Sequence, residues 1–190
     1  MVLDACVLSE AAVSDLILRL ADEPNLLMPR WTHEIWNETL RTWVEKLGWD
    51  ERIALSRLGA AIDCFPEAMI EGFEHLIEKC ENHPKDRHVL AAAIHSRTDV
   101  IVTFNVRDFK PEHLRPWGIV AVHPADYLQL LFDHDRATAT TVLEAMAAKT
   151  RRTLPEIVAR LAWHVEPFSA YVAAELGFEL PILSPRQWMR

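Results

Sequence analysis

Five residues in the first two thirds of the chain are of the types that bind a hard divalent cation: Asp4, Glu38, Asp86, Asn105 and Asp108. Asp4 is the most unusual of them. The opening MVLDACVLSE reads as a short apolar strand through Val2, Leu3, Val7 and Leu8, with Asp4 in its middle. An unpaired carboxylate buried in such a place costs on the order of several kcal/mol. Carboxylates crowded into one cleft repel one another unless a divalent cation sits among them. An all-oxygen donor set of this kind selects Mg²⁺ or Mn²⁺ rather than zinc.

For these residues to meet, the elements that carry them must converge. A short first strand places Asp4 at its carboxyl end. DVIVTF (99–104) reads as a fully buried strand, so Asn105 and Asp108 lie just past its carboxyl end. Open parallel sheets gather their chemistry at that edge. Asp86 falls in the first turn of a helix expected from about Lys85 to Ser96 and opened by Pro84. Glu38 projects from the middle of a helix over 33–47, capped by Thr32 and ended by Gly48.

The rest of the pattern supplies the frame. A helix runs from Ala11 to Ala21 on Val13, Leu16, Ile17 and Leu20, and ADEPN (21–25) breaks it. LLMP (26–29) is a candidate short strand. Asp50 caps a further helix with Ile53, Leu55, Leu58, Ala61 and Ile62 as its apolar positions. Residues 65–82 suggest a helical turn, a break at Gly72 and a short strand, and GIVAV (118–122) is another strand. Strands alternating with helices imply a parallel sheet covered on both faces. From Pro124 the pattern is helical only, giving three or four helices. Thr153 and Glu156 fit a capping box, which Pro155 weakens. The chain is expected to divide into 1–132 and an all-α extension, 133–190.

VLDACVL, Asn37-Glu38, KDRHVLAAAI and DVIVTFNVRDF resemble, in order and spacing, the PIN domain of VapC-like toxin ribonucleases. The run DRHVLAAAI followed by a strand and TFNVRDF is the most specific part. The resemblance covers roughly residues 1–132, and the tail looks like the C-terminal extension of some members. It implies a three-layer α/β/α fold around a parallel sheet. The activity it implies is that of a metal-dependent endoribonuclease whose site an antitoxin protein occludes. Asp4, Glu38 and Asp86 match the family's acidic triad, and Asp108 matches a further acidic position. Asn105 matches a position held by Asp in many members and Asn in others, and a neutral residue there weakens the case for a second metal ion. Thr103 matches the polar residue at the strand end, which in such sites orients water or phosphate.

The consistent mechanism is in-line attack of a metal-activated water on an RNA phosphodiester. Asp4 and Asp86 are the principal ligands, with Asp108 and Asn105 beside them and Glu38 as ligand or water-orienting base. Lys85, Arg87 and Arg107 flank the ligands and are placed to hold substrate phosphates. Each residue also has a plainer reading. Asp86 alone is a helix N-terminal charge, Glu38 a solvated helix face and Asp108 an Asx-turn residue. A phosphatase of the HAD type also starts with a strand-end Asp, but it needs a second Asp where Cys6 stands. A PIN-like binding module with weak or lost activity is the remaining alternative.

Half of the 190 residues are hydrophobic and a quarter charged, an ordinary globular composition. Runs such as AAAIHS and IVAV are too short to cross a bilayer, and no secretion signal is read. The three cysteines lack CxxC spacing, which fits reduced thiols in a cytoplasmic protein. The net charge of −8 is uneven: residues 1–135 hold 13 basic against 23 acidic side chains, and residues 136–190 hold 7 against 5. His83, His88 and His95 carry no zinc spacing, and His88 reads as a packing or hydrogen-bonding residue. Among the seven tryptophans, which include Trp188, Trp36 and Trp43 stand one heptad apart and are assigned to a homodimer or partner face. In the tail, Lys149, Arg151 and Arg152 are candidates for RNA contact, alongside a packing role or antitoxin binding.

Overall fold

The first strand stops at Leu3, because the chain turns at Asp4 into a one-turn helix. The computed structural model describes residues 1–22 and 25–183; part of the break expected over 21–25, and Trp188, lie outside the described residues. Three strands, β1 (Val2–Leu3), β2 (Val100–Val102) and β3 (Val120–Val122), form a parallel sheet in the order β1-β2-β3. Val2 faces Ile101 and Leu3 faces Val102; Ile101 in turn faces Ala121. Single bridges continue the sheet beyond β1, Val2 to Arg30 and Trp31 to Met69. Where LLMP and a strand within 65–82 were expected, only these bridges form. Pro66–Ala68 and Glu74–Lys79 are 3₁₀ turns instead.

The helices are α1 (Ala5–Leu8), α2 (Ala11–Ala21), α3 (His33–Arg41), α4 (Glu51–Cys64), α5 (Arg87–His95), α6 (Pro111–Leu114), α7 (Pro124–His134), α8 (Arg136–Thr150) and α9 (Leu154–Leu176). Val2, Leu3, Ile101 and Val102 are fully buried, as a sheet covered on both faces requires. Helix α5 packs on β1 and β2 through Val89, Leu90 and Ala91 to Ala93, all inaccessible to solvent. Its alanines carry no side chain beyond Cβ and let the helix lie close to the sheet. The expected caps are present. Thr32 accepts from the Ile35 amide, Asp50 from Arg52 and Ile53, and Gly48 (φ +68°) follows the π-helical turn Thr42–Lys46 that extends α3.

Helix α4 departs from the sequence reading. Its buried positions are Ala54 and Ala61, while Ile53 and Leu55 are 62% and 47% exposed. Of the expected stripe, Ala61 is buried and Leu58 and Ile62 are half-buried, while Ile53 and Leu55 face outward.

The chain forms two compact units. The first comprises Met1–Ser9 and Leu27–His123 and contains the sheet. The second comprises Glu10–Leu26 and the chain from Pro124 onward. A boundary between 132 and 133 would cut α7, which packs with α8 and α9. Helix α2, N-terminal in sequence, packs on the same two helices. Phe132 contacts Phe168 and Tyr171 edge to face, and the Tyr171 hydroxyl donates to Asp133 at 2.6 Å. The Thr153–Glu156 capping box opens α9 despite Pro155. Two helical pieces expected in sequence are one helix kinked at Val165 (φ −132°, ψ 51°), two residues before Pro167. Proline removes one amide donor and its ring crowds the carbonyl of the preceding turn. No described helix is long and apolar enough to cross a membrane.

Candidate active site

Asp4 stands where β1 ends and α1 begins, and only 4% of it is exposed. Its amide donates to the Val102 carbonyl at 3.1 Å, and its own carbonyl accepts from Val7 and Leu8. The carboxylate is held from the neighbouring strand end. The Thr103 hydroxyl donates to Oδ2 at 2.6 Å and the Cys6 thiol to the same oxygen at 3.2 Å. Each donor is itself oriented. Thr103 Oγ1 accepts from the Asn105 amide at 3.0 Å, and Cys6 Sγ accepts from the Phe104 amide at 3.3 Å. Both donors use Oδ2, so neither occupies Oδ1. Burial, and then the nearby Asp4 charge, push the Cys6 thiol up to about 12. At neutral pH Cys6 is therefore a neutral donor, not a thiolate.

The other carboxylates gather in electrostatic range of Asp4. Glu38 is half-buried, and burial pushes its carboxyl above the usual range. His88 opposes that shift, while Asp4, Glu34 and Asp86 reinforce it. Asp86 is raised as well, first by burial and then by Asp4 and Asp108, with His83 and His88 in opposition. The four acids expected to converge thus act on one another. Asp86 is the N-cap residue of α5, and its side chain makes no capping hydrogen bond. Asp108 lies in the 3₁₀ turn Val106–Asp108, its amide bonded to the Asn105 carbonyl at 2.9 Å. Among the described residues, no three His, Cys, Asp or Glu side chains are close enough to enclose a metal ion by themselves.

The remaining predicted residues are placed as follows. Thr103 is fully buried, its hydroxyl engaged by Asp4 and the Asn105 amide. Asn105, Arg107 and Lys85 are exposed, and Arg87 is half-buried with Nε donating to the Asn82 carbonyl at 3.3 Å. Trp36 and Trp43 are not on a partner face: they are 3% and 1% exposed. Trp31, Trp36, Trp43 and Trp49 form a continuous aromatic chain with ring centroids 5.1–6.2 Å apart. Trp43 Nε1 donates to the Ser9 carbonyl at 3.0 Å and so ties the end of the Glu38 helix to α1. Burial of large aromatics took precedence over the heptad spacing.

No family model and no solved structure matches the chain. Over 73 residues it is 45% identical to a Mycobacterium tuberculosis protein named "Putative ribonuclease VapC50". The chain is VapC-like over that stretch. The match covers 38% of this chain and 43% of the relative, so the chain spans less than half the length of the relative it matches. The parallel sheet with its helices is a PIN-like α/β/α fold with a helical extension.

The donor set of this site fits a hard cation. The acids offer oxygen only, the one thiol present is protonated, and Glu38 and Asp86 are raised partly by like charges that a cation would offset. Three contributors escaped the sequence reading. Cys6 served only to exclude a phosphatase, yet it orients Asp4. His88, 5% exposed, has Nε2 3.7 Å from Glu38 and Nδ1 3.9 Å from Glu34. His83 Nδ1 lies 3.2 Å from Asp86 Oδ2. Proximity of His83 and His88 to Asp86 in sequence was the available signal, but the comparison with zinc spacings set it aside.

Proposed function

We propose that the chain is a divalent-metal-dependent endoribonuclease and the toxin of a toxin–antitoxin pair. The observation that carries this reading is the buried Asp4, clamped by Thr103 and Cys6, with Glu38 and Asp86 both raised in part by its charge. Asp4, Asp86 and Asp108 hold the cation, with Asn105 at the rim. A bound Mg²⁺ or Mn²⁺ supplies an acidified water and neutralises charge at the phosphate. Glu38, whose raised pKa suits a group that takes up a proton, orients the attacking water and accepts its proton. Thr103 and Cys6 fix the Asp4 carboxylate, and His88 moderates the charge between Glu38 and Asp86. Lys85, Arg87 and Arg107 hold RNA phosphates. An antitoxin protein covers the site, and the toxin pairs as a homodimer through a face other than Trp36 and Trp43. The VapC50 name of the Mycobacterium tuberculosis relative supports the toxin assignment.

A second reading, a PIN-like binding module without strong activity, is favoured by the neutral Asn105 and by the lack of a tight three-residue ligand group among the described residues. Cleavage of a structured RNA with Mn²⁺, alongside thermal melting, separates the two. The nuclease reading expects Mn²⁺ to raise the melting temperature and support cleavage, and Asp4→Ala to lose both. If saturating Mn²⁺ does neither and Asp4→Ala behaves as wild type, the binding module stands.

A further inference from the structure

The second compact unit carries a surface that the nuclease chemistry does not use. Lys149 closes α8, Arg151 and Arg152 form the turn into α9, and Arg160 follows two turns along α9. Between 149 and 160 the single acid is Glu156, and its carboxylate is engaged in the α9 cap. There it accepts from the Thr153 amide at 2.8 Å and from the Thr153 hydroxyl at 3.0 Å. Arg152 is near enough to Arg160 for the two cations to oppose each other, and burial and that neighbour both lower the Arg160 pKa. Three residues beyond Arg160, on the same helix face, Trp163 is 70% exposed. A large aromatic that is far from buried, one turn from Arg160 and its neighbour Arg152, combines a stacking platform with phosphate-binding charge.

We propose that Lys149, Arg151, Arg152, Arg160 and Trp163 form a docking surface for single-stranded RNA, with a base stacked on Trp163 and the flanking phosphates on the basic side chains. One exposed aromatic among cations suits one unstacked base better than a membrane, which would call for a wider apolar face. The surface discriminates little among sequences, because every base has a π face. The proposal deepens the ribonuclease reading and rests on it for the choice of RNA as partner.

The test is fluorescence anisotropy of the full chain with a labelled unstructured oligouridylate in EDTA, the RNA checked as intact on a gel. The expected result is binding that Trp163→Ala weakens about tenfold and Trp163→Phe largely restores. Arg152→Gln should reduce the slope of log K against log salt by about 0.7, one phosphate contact on a single strand. Both positions are at least partly exposed, and circular dichroism confirms that the three variants are folded. The proposal is overturned by absence of binding, or by Trp163→Ala and Arg152→Gln binding with unchanged affinity and salt slope. It is equally overturned if the patch substitutions abolish binding to phosphatidylglycerol vesicles but leave RNA binding intact. Cleavage with Mn²⁺ is scored separately. Patch-dependent binding without cleavage removes only the nuclease reading, and cleavage with patch-independent binding removes only this one.

Discussion

At the scale of single residues, Asp4 is defined by its two donors. On the proposed mechanism, Asp4→Asn removes a metal ligand and should lower cleavage on the order of 100-fold or more, as seen when a group that stabilises developing charge is removed. Thr103→Val keeps shape and burial but deletes the 2.6 Å hydrogen bond. A loss of roughly 10- to 100-fold, with Thr103→Ser recovering most of the rate, is the pattern for a residue that orients a ligand. Equal rates for Thr103→Val and wild type would show that the clamp is unimportant.

Charge at the same residues sets a pH dependence. The folded pKa values of Glu38 and Asp86 lie above their ordinary values, so without metal the native chain holds more protons than the unfolded chain in that window. Stability therefore falls as pH rises from the ordinary carboxylate range through the raised values, and the deficit persists above them. In EDTA at pH 7, Asp86→Asn should melt higher than wild type, by about 2–4 °C for each kcal/mol relieved. The gap should close near pH 3, where wild-type Asp86 is protonated in both states. A variant that melts lower at pH 7 would contradict the like-charge account.

At the scale of elements, what could be read from the sequence depended on how local the cause was. Thr32, Asp50, Gly48 and the Thr153–Glu156 box were legible because capping is settled within a turn. The strand that ends just before Thr103 and the helix that begins just after Asp86 were legible from their apolar runs. Burial of Trp36 and Trp43 was not, since heptad spacing reports a helix face and not what covers it. The same gap explains α4, whose Ala54 and Ala61 pack while Ile53 and Leu55 do not. The role of Cys6 depends on a strand nearly a hundred residues away, so no local pattern contains it. Trp43 gives this scale its test. Trp43→Ala opens a cavity between Trp36 and Trp49 and frees the Ser9 carbonyl, and should cost about 3–5 kcal/mol. Urea denaturation would show this as a lower midpoint with little change in slope. Because the Glu38 helix loses its tie to α1, residual activity should fall more than in Trp49→Ala.

At the scale of the whole molecule, acidity and the proposed RNA substrate have to be reconciled. The net charge of −8 opposes a polyanion at long range, and the acids at the site add to the opposition. The proposed divalent cation would change both terms, since it would bind the folded cluster and leave the dispersed acids of the unfolded chain largely unbound. Its stabilisation follows RT ln(1 + [L]/Kd), or roughly 2.7 kcal/mol at a hundredfold excess over Kd. Mn²⁺ titrated against wild-type protein at pH 7 should therefore keep raising the melting temperature, with no plateau, far above Kd. Near pH 3, below the ordinary carboxylate range, the same titration should have little effect, because Glu38 and Asp86 then hold protons that the metal must displace. Asp86→Asn, more stable than wild type in EDTA, should gain less from Mn²⁺, so the order of the two melting temperatures narrows or inverts as metal is added. That crossing separates a cation site from general acidic repulsion: monovalent salt would relieve repulsion in wild type and bring the two curves together, but could not make them cross. Curves that stay parallel throughout the Mn²⁺ titration would mean that Asp86 holds no metal.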